Sequence, residues 1–185
     1  MSGIVILSGT NRPGSNTRKV AVRVEAIYQS LGVKVQLLDL AEMPPEIFSP
    51  ASYAAKPAGF SRFIDAILGT DGLVVVTPEY NGGFPGVLKY FIDMLPFPES
   101  LQERPVCFVG LSAGIWGALR SVEQLQAIFV YRSAIVFPER VFMPGIRGLL
   151  NEAGRFTNQE METRLQTQAA AFVKFVETMR GTKLR

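Results

Sequence analysis

The residues with the clearest chemical potential follow the first apolar run of the chain, in the stretch SGTNRPGSNTRKV at positions 8–20. Ser15 is well placed to cap a helix, and the first turn of a helix offers free N–H groups and a positive dipole end to an anion. Thr10 and Thr17 add hydroxyl groups, and Arg12 adds a planar pair of donors that matches phosphate oxygens. The stretch therefore predicts either a capped helix with a solvated arginine or a phosphate site, and its position after a strand favours phosphate.

Composition limits the chemistry that the protein itself can perform. The 185 residues include no histidine and a single cysteine, Cys107. Transition-metal sites and Ser–His or Cys–His nucleophiles are therefore effectively excluded, and Cys107 is expected in the core because its neighbours are apolar. The first stretch also lacks the GxxxxGK[S/T] and GxGxxG motifs, which argues against an ATP-type P-loop. Any chemistry must use carboxylates, hydroxyls, lysine or a bound cofactor.

A second polar stretch, TPEYNGGFPGVLKYFIDML, occupies positions 77–95. The ring of Tyr80 could lie against a flat ligand, and backbone groups at 81–83 could hydrogen-bond its polar edge. Asn-Gly-Gly is also turn chemistry, so a plain turn fits equally well. Glu79 and Asp93 resemble an acid–base pair, but Asp93 lies within a helical pattern, and we expect it at the surface or at an interface.

A third stretch, GLSAGIWGALRS at positions 110–121, is rich in small residues. They would keep side chains out of a crevice and leave N–H groups free at the start of a helix, although close helix–strand packing explains them equally well. The three stretches together describe a phosphate cradle beside a narrow, flat slot. FMN, a phosphorylated planar ring, fits that description, and because the flavin itself carries hydride chemistry it asks the protein only for position and electrostatics, without a histidine.

The elements that must position these stretches alternate along the chain. Continuous apolar runs predict five strands buried on both faces, at residues 4–7, 33–37, 73–76, 106–111 and 134–136. Helical spacing predicts five helices between and after them. The first follows Ser15 and ends at Gly32 as a left-handed cap, the fourth begins at Trp116, and the fifth begins with a capping box at 157–160.

This alternation predicts an α/β fold in a single domain, residues 1–185. Right-handed crossovers favour a doubly wound sheet, and the strand count fits a five-stranded parallel sheet in the order 2-1-3-4-5. Ligands of such sheets bind at the carboxyl ends of the strands near the switch point, which here lies between strands one and three. Two long segments, 41–57 and 138–155, are expected to be irregular.

Charge and hydropathy set expectations about partners. The chain has 19 Lys and Arg against 16 Asp and Glu, a net charge of +3, but its cations are scattered. We therefore expect no nucleic-acid partner. No apolar run is long enough to span a bilayer, and the N-terminus lacks the pattern of a secretion signal. We expect no membrane association and a cytoplasmic location.

Three motifs, in this order and spacing, resemble the NADPH-dependent FMN reductase family, flavodoxin-like enzymes that include quinone, azo-dye and chromate reductases. They are GTNRPGSNT, PEYNGGFPGVLKYFID and SAGIWGALRSVEQLQ, and the resemblance extends over nearly the whole chain. It implies a flavodoxin-like three-layer fold. It also implies FMN-phosphate contacts from Thr10, Arg12, Ser15, Asn16 and Thr17, a lining of the isoalloxazine ring by Pro78, Glu79, Tyr80, Asn81 and Gly82, and an approach to its other edge by Ser112, Ala113 and Gly114.

The resemblance further implies a homodimer or homotetramer through the helix that starts at Pro85. This sequence differs from the family's usual pattern at two places that affect packing. The family's helix usually reads L-K-N-A-I-D-W, whereas here Lys89 is followed by Tyr90 and Phe91, and Met94 replaces the tryptophan. Ala118 also stands where a second glycine is common.

The activity that the resemblance implies is ping-pong hydride transfer from NADPH or NADH through FMN to a small acceptor. The sequence leaves open which nicotinamide nucleotide and which acceptor are used. Candidates for a 2′-phosphate contact are Arg120 and the arginines of segment 138–155. A flavodoxin-like electron carrier is the competing interpretation, with a flavoprotein kept for partner binding as a third. The basic charge and Arg12 argue against the carrier, since carriers are typically acidic.

Overall fold

A computed structural model describes residues 3–181 of the chain as one five-stranded parallel sheet with helices on both faces. The strands are β1 (Ile4–Ser8), β2 (Val35–Asp39), β3 (Gly72–Pro78), β4 (Pro105–Leu111) and β5 (Ile135–Met143). Their order is β2-β1-β3-β4-β5, and every neighbouring pair is parallel, which confirms the predicted topology. The helices are α1 (Asn16–Ser30), α2 (Ser61–Gly69), α3 (Gly86–Met94), α4 (Leu119–Tyr131), α5 (Ile146–Leu149) and α6 (Gln159–Gly181).

The sheet is buried on both faces because alternate side chains of its central strands enter two separate cores. In β1, Ile4 and Ile6 pack with α1 and α6, whereas Val5 and Leu7 pack with α2, α3 and α4. β3 and β4 repeat this alternation, so each central strand reads as a continuous apolar run. Each fully buried side chain of this size contributes about 1.5–3 kcal/mol relative to exposure.

Cys107 lies in β4 and is fully buried in the core beneath α1 and α6, as predicted. Burial raises the pKa of its thiol well above the ordinary value. A thiol that stays protonated is a poor nucleophile. Cys107 is therefore a packing residue.

Helix α1 begins and ends where the sequence predicts. The Ser15 hydroxyl accepts a hydrogen bond from the Arg18 N–H (3.2 Å) and so caps the N-terminus. At the other end, Gly32 adopts φ +73°, and its N–H donates to the Gln29 carbonyl. The Val33 N–H donates to the Tyr28 carbonyl, which completes a Schellman motif.

The fifth strand is longer than predicted. The apolar run stops before Pro138, but β5 continues to Met143 because it is an edge strand, where a proline costs no ladder hydrogen bond. The pairing with β4 shifts register between Val106 and Phe108. Gln168 of α6 bridges the irregularity by donating to the carbonyls of Phe108 (3.1 Å) and Glu139 (3.0 Å). The prediction that 138–155 is irregular throughout was therefore wrong.

Two predicted helix starts are also wrong. Helix α4 begins at Leu119, and Trp116 lies in the turn before it with 53% of its surface exposed. Helix α6 is capped by Asn158, whose side chain accepts from the Glu160 N–H (2.7 Å). Thr157 instead donates its hydroxyl to the Gly148 carbonyl. A pattern of residue types does not reveal which of two neighbouring polar side chains turns toward the helix.

Segment 41–57 carries no strand or α-helix, as predicted. It forms short 3₁₀ turns that run toward α3, and the Tyr90 hydroxyl of α3 donates to the Ile47 carbonyl (2.7 Å). Between residues 3 and 181 no helix has both the length and the apolar character needed to cross a membrane.

Candidate functional site

A cleft of about 330 Å³ opens at the sheet edge where β1, β3 and β4 end. This is the switch point of the strand order, where the topology predicts a ligand site. Its walls come from all three polar stretches of the sequence and from α5. The lining residues are Arg12, Pro13, Gly14, Ser15, Asn16, Thr17, Pro78, Glu79, Tyr80, Leu111, Ser112, Ala113, Ile146 and Arg147.

One end of the cleft is the N-terminus of α1. No acidic residue lies in the first turn of this helix, and the N–H groups of Asn16 and Thr17 have no acceptor within it. Arg12 is exposed beside them and forms no ion pair with any described carboxylate. Because the local charge is positive and two donors are open, this end of the cleft is suited to an anion.

A single hydrogen bond joins this end to the loop after β3. The hydroxyl groups of Thr10 and Tyr80 lie 3.1 Å apart, and Thr10 is almost fully buried. The Thr10 hydroxyl oxygen also accepts from the Arg12 N–H (3.3 Å). Thr10 therefore lies behind the cleft wall, where it holds the Arg12 backbone and the Tyr80 ring in place.

The loop after β3 is a tight two-residue turn. Tyr80 and Gly83 exchange backbone hydrogen bonds of 2.8 and 3.1 Å, and Asn81 and Gly82 between them adopt φ +52° and +80°. This is the type I′ geometry that Asn-Gly favours. The turn explanation was therefore correct, and it does not exclude a ligand, because the N–H groups of Asn81 and Gly82 donate to no acceptor among residues 3–181.

Pro78 and Glu79 connect this turn to α4. The Pro78 carbonyl accepts from the Ser121 hydroxyl (3.0 Å), which fixes the end of β3. One carboxylate oxygen of Glu79 pairs with Arg120 (3.3 Å), and the Arg120 guanidinium lies over the Trp116 ring. The other oxygen, Oε2, is buried and has no partner among the described residues. A buried acceptor at the cleft wall is free to receive an N–H from a ligand.

The loop after β4 is held against the end of β5. The Ser112 N–H donates to the Met143 carbonyl (3.1 Å), and the Ile146 N–H donates to the Ser112 carbonyl (3.0 Å). The N–H groups of Ala113 and Gly114 donate to no acceptor in the described chain. At Gly117, φ is +58°, and an added Cβ would lie 2.9 Å from the backbone nitrogens of Met143 and Pro144. Ala118, where the family commonly has glycine, adopts φ +73°.

Nine of the thirteen predicted site residues line the cleft. The other four are Thr10, which lies behind the wall, and Asn81, Gly82 and Gly114, which lie in the adjoining loops. Sequence reasoning missed Ile146 as a wall residue and named Arg147 only as one arginine of the late segment. Gly145, with φ +61°, turns the chain from β5 into α5 and brings both residues to the cleft. The Pro-Gly pair before Ile146 was the available signal.

The residues present fit FMN. A helix N-terminus with an unpaired arginine matches a phosphate group at one end. Free backbone N–H groups in two loops, together with the unpartnered oxygen of Glu79, match the mixed acceptors and N–H donor of the isoalloxazine ring's polar edge.

Comparison with known proteins identifies the family. The sequence model of the NADPH-dependent FMN reductase family matches residues 3–147. The chain is 30% identical over 181 residues to a quinone reductase of Escherichia coli (strain K12), covering 96% of both proteins. It is 29% identical over 181 residues to an NAD(P)H-dependent FMN reductase of Pseudomonas aeruginosa, covering 95% of both.

A solved structure shares the fold. The flavoenzyme NAD(P)H:(acceptor) oxidoreductase of Paracoccus denitrificans superposes with a TM-score of 0.79 over 95% of this chain and 97% of the other, at 23% identity.

Proposed function

Because the chain belongs to the NADPH-dependent FMN reductase family and is an FMN-dependent oxidoreductase, we propose that it transfers hydride from NAD(P)H through FMN to quinones or similar small acceptors by a ping-pong mechanism. The observation that carries this proposal is the cleft at the ends of β1, β3 and β4. It joins the positive N-terminus of α1 to a slot lined by backbone donors, and that combination suits a planar ring with a phosphate.

The charged end would hold the phosphate. The first-turn N–H groups of α1 and the hydroxyl groups of Ser15 and Thr17, residues that line this end of the cleft, would donate to the phosphate, and Arg12 would pair with it. Hydrogen bonds from a charged donor to phosphate are roughly twice as strong as neutral ones, so Arg12 would contribute most among the side chains. Asn16 would add its backbone N–H, and Thr10 would support the loop from behind.

The other end would hold the ring. The Asn81–Gly82 turn would border one side of it, the loop from Ser112 to Gly114 would border another, and Pro78 would form part of the wall. When bound, FMN accepts hydride from a nicotinamide and passes it to an acceptor. The chain would bind and orient the flavin, and its backbone N–H groups would stabilise negative charge at the polar edge of the ring. Glu79 would accept an N–H there through its free oxygen.

We also propose a homodimer or homotetramer through α3. Phe48 and Tyr53, which are 46% and 64% exposed, pack on Tyr90 of α3 with ring centroids 5.1 and 6.3 Å away. Exposed aromatic surface of this kind is typical of an interface between copies. Light scattering on the wild type and on a Tyr53→Ser variant tests this, and a wild-type monomer would contradict it.

The first experiment is an anaerobic titration of the FMN-loaded protein with NADPH, followed through the visible absorption band. We expect bleaching in one two-electron step and recovery of colour on addition of a quinone. If dithionite bleaches the band but NADPH does not, the flavin site stands and the nicotinamide half of the proposal is wrong. An electron carrier would then be the better interpretation.

The same assay with free flavin, azo dyes, nitroaromatics and chromate would define the acceptor. Cell fractionation would test the proposed cytoplasmic location.

A further inference from the structure

A second concave surface lies on the exposed face of α1, next to the cleft. We call it the α1 groove; it has a volume of about 490 Å³. Half of its lining residues are cations. The lining residues are Arg18, Lys19, Val22, Arg23, Ala26, Ala153, Gly154 and Arg155.

Two of the four cations are neutralised and two are not. Arg18 pairs with Asp39 at the end of β2 (2.8 Å), and Arg23 forms a two-pronged pair with Glu162 of α6. Lys19 and Arg155 form no ion pair with a carboxylate anywhere in residues 3–181. The groove therefore carries about two uncompensated positive charges, which favours an anionic ligand.

Arg18 also has an open donor. Its Nε is used by Asp39, but its Nη1 is buried and has no hydrogen-bond partner among the described residues. Buried guanidinium N–H groups are almost always satisfied, by protein, water or ligand. Because Arg18 is one of the residues that line the groove, an incoming anion could satisfy this donor.

The floor of the groove is apolar. Val22 is 44% exposed, which is high for a valine on a helix, and Ala26 and Ala153 continue the same surface. Cations around an apolar floor suit a ligand that carries its charge on a flat or apolar body. Inorganic phosphate alone would leave that floor uncovered.

The far wall is a short, well-bonded loop. The Asn151 N–H donates to the Arg155 carbonyl, and the Arg155 N–H donates to the Asn151 side chain, both at 2.9 Å. Gly154, at φ +73°, faces Lys19; a Cβ added there would lie 3.5 Å from the Lys19 Cβ. The loop therefore fixes the backbone of Arg155 opposite Lys19, so the two free cations border the same space.

The α1 groove continues from the cleft along shared elements. At the start of α1, residues 15–17 line the cleft, and further along the helix residues 18, 19, 22, 23 and 26 line the groove. After β5, residues 146–147 line the cleft and residues 153–155 line the groove. The groove therefore adjoins the end of the cleft that would hold the FMN phosphate, and a dinucleotide whose nicotinamide lay over the flavin could extend past that end along α1.

We propose that the α1 groove binds the 2′-phosphoadenosine half of NADPH, with the 2′-phosphate on Lys19, Arg155 and the free donor of Arg18 and the adenine over Val22. This proposal rests on the proposed function and adds the basis of a preference for NADPH over NADH. It selects among the candidate arginines. Arg120 is paired with Glu79, and Arg140 donates to Gln126. Arg147 and Arg155 are both unpaired among the described residues, but Arg147 lines the cleft whereas Arg155 lines the groove.

The test uses calorimetric binding of adenosine 2′,5′-bisphosphate and of AMP to the FMN-loaded protein. We expect the bisphosphate to bind at least tenfold more tightly than AMP. Lys19→Ala and Arg155→Ala should each weaken the bisphosphate about tenfold and leave AMP nearly unchanged. Matched controls are Lys34→Ala and Arg164→Ala, exposed cations that line other surface grooves, and these should bind like the wild type.

Three results would overturn the proposal. One is equal affinity for the bisphosphate and AMP. Another is a loss in the control variants as large as that in Lys19→Ala and Arg155→Ala. The third is equally effective competition by inorganic phosphate at the same concentration, which would identify a general anion site.

Kinetics separate this proposal from the proposed function. If both hold, Arg155→Ala raises KM for NADPH several-fold and leaves KM for NADH unchanged. If wild-type protein reduces its flavin with neither nucleotide, the proposed function fails, while selective bisphosphate binding would still support the groove. If NADPH turnover is normal and the variants match the controls, the function stands and the groove proposal fails.

Discussion

The two ends of the cleft differ in the groups they offer to a ligand, which are mainly side chains at one end and mainly backbone at the other. At the charged end, recognition of a ligand would depend on side chains and on the dipole of α1, and the surroundings are open. Arg12 is exposed, and a Cβ added at Gly14 would meet no atom within 4 Å. At the ring end, recognition would depend on backbone N–H groups, and the loops are packed against their neighbours. A Cβ added at Gly117 would lie 2.9 Å from backbone nitrogens of β5 and the following turn.

Because of this difference, substitutions at the two ends should affect FMN affinity and the stability of the fold to different extents. A side chain at the charged end can be changed without moving the backbone, so substitutions there should alter phosphate binding more than folding. At the ring end a single methyl group forces the loop after β4 away from β5, so substitutions there should alter both. Four predictions test this contrast.

The largest effect is expected from Gly117→Ala. Its Cβ would collide with fixed backbone at a left-handed φ, and the two penalties together should lower the free energy of unfolding by about 3 kcal/mol. Gly14→Ala has the same left-handed strain (φ +63°) in open space and should cost only about 1 kcal/mol. Urea unfolding measures both. Ala118→Gly, at φ +73°, is the control and should not destabilise; equal losses at Gly117 and Gly14 would contradict the contrast.

The second prediction concerns Arg12→Ala, which removes a charge without disturbing packing. Loss of a charge-assisted hydrogen bond should weaken FMN binding by about 1.5–3 kcal/mol, or roughly 10- to 100-fold, with little change in stability. Riboflavin lacks the phosphate, so its affinity should stay constant. Fluorescence titration with both ligands is the measurement. A parallel loss for riboflavin would place Arg12 at the ring instead.

Most of the fold was predictable because a strand buried on both faces has a recognisable sequence, a continuous apolar run. β1, β3 and β4 are buried at every position, and the apolar runs within them predict a parallel sheet. The edge strands were less predictable. β2 is only partly buried over its first three residues and begins two residues later than predicted, and β5 contains a proline that an edge strand tolerates.

The site was predictable to the extent that it lies in contiguous stretches. Ser15, Tyr80 and Ser112 lie in the loops that leave β1, β3 and β4, so topology brings them together. Ile146 and Arg147 reach the same cleft only because β5 runs on to Met143 and Gly145 turns the chain back. Pairings such as Thr10 with Tyr80 span 70 positions and leave no local pattern.

The third prediction separates the two roles of Ser15, which caps α1 and faces the cleft. Ser15→Ala should lower the free energy of unfolding by about 1 kcal/mol through loss of the cap. Ser15→Asp keeps a capping oxygen and suits the helix dipole, so its stability should stay near wild type. Its negative charge should nevertheless weaken FMN binding more than Ser15→Ala does, because it repels the phosphate. Thermal unfolding and FMN titration of both variants measure this, and tighter FMN binding by Ser15→Asp would show that no phosphate lies there.

The smallest effect is expected at the side-chain hydrogen bond between Thr10 and Tyr80, which joins the two ends. Tyr80→Phe removes the tyrosine hydroxyl from this bond. Thr10→Val removes the same bond and also the acceptor for the Arg12 N–H. Thr10→Val should therefore cost more than Tyr80→Phe, and the double variant should cost less than the sum by about 0.5–1 kcal/mol. A double-mutant cycle in urea measures that coupling. Strict additivity would mean that the ends fold and bind independently, whereas coupling that increases when FMN is bound would mean that the ligand tightens one end through the other.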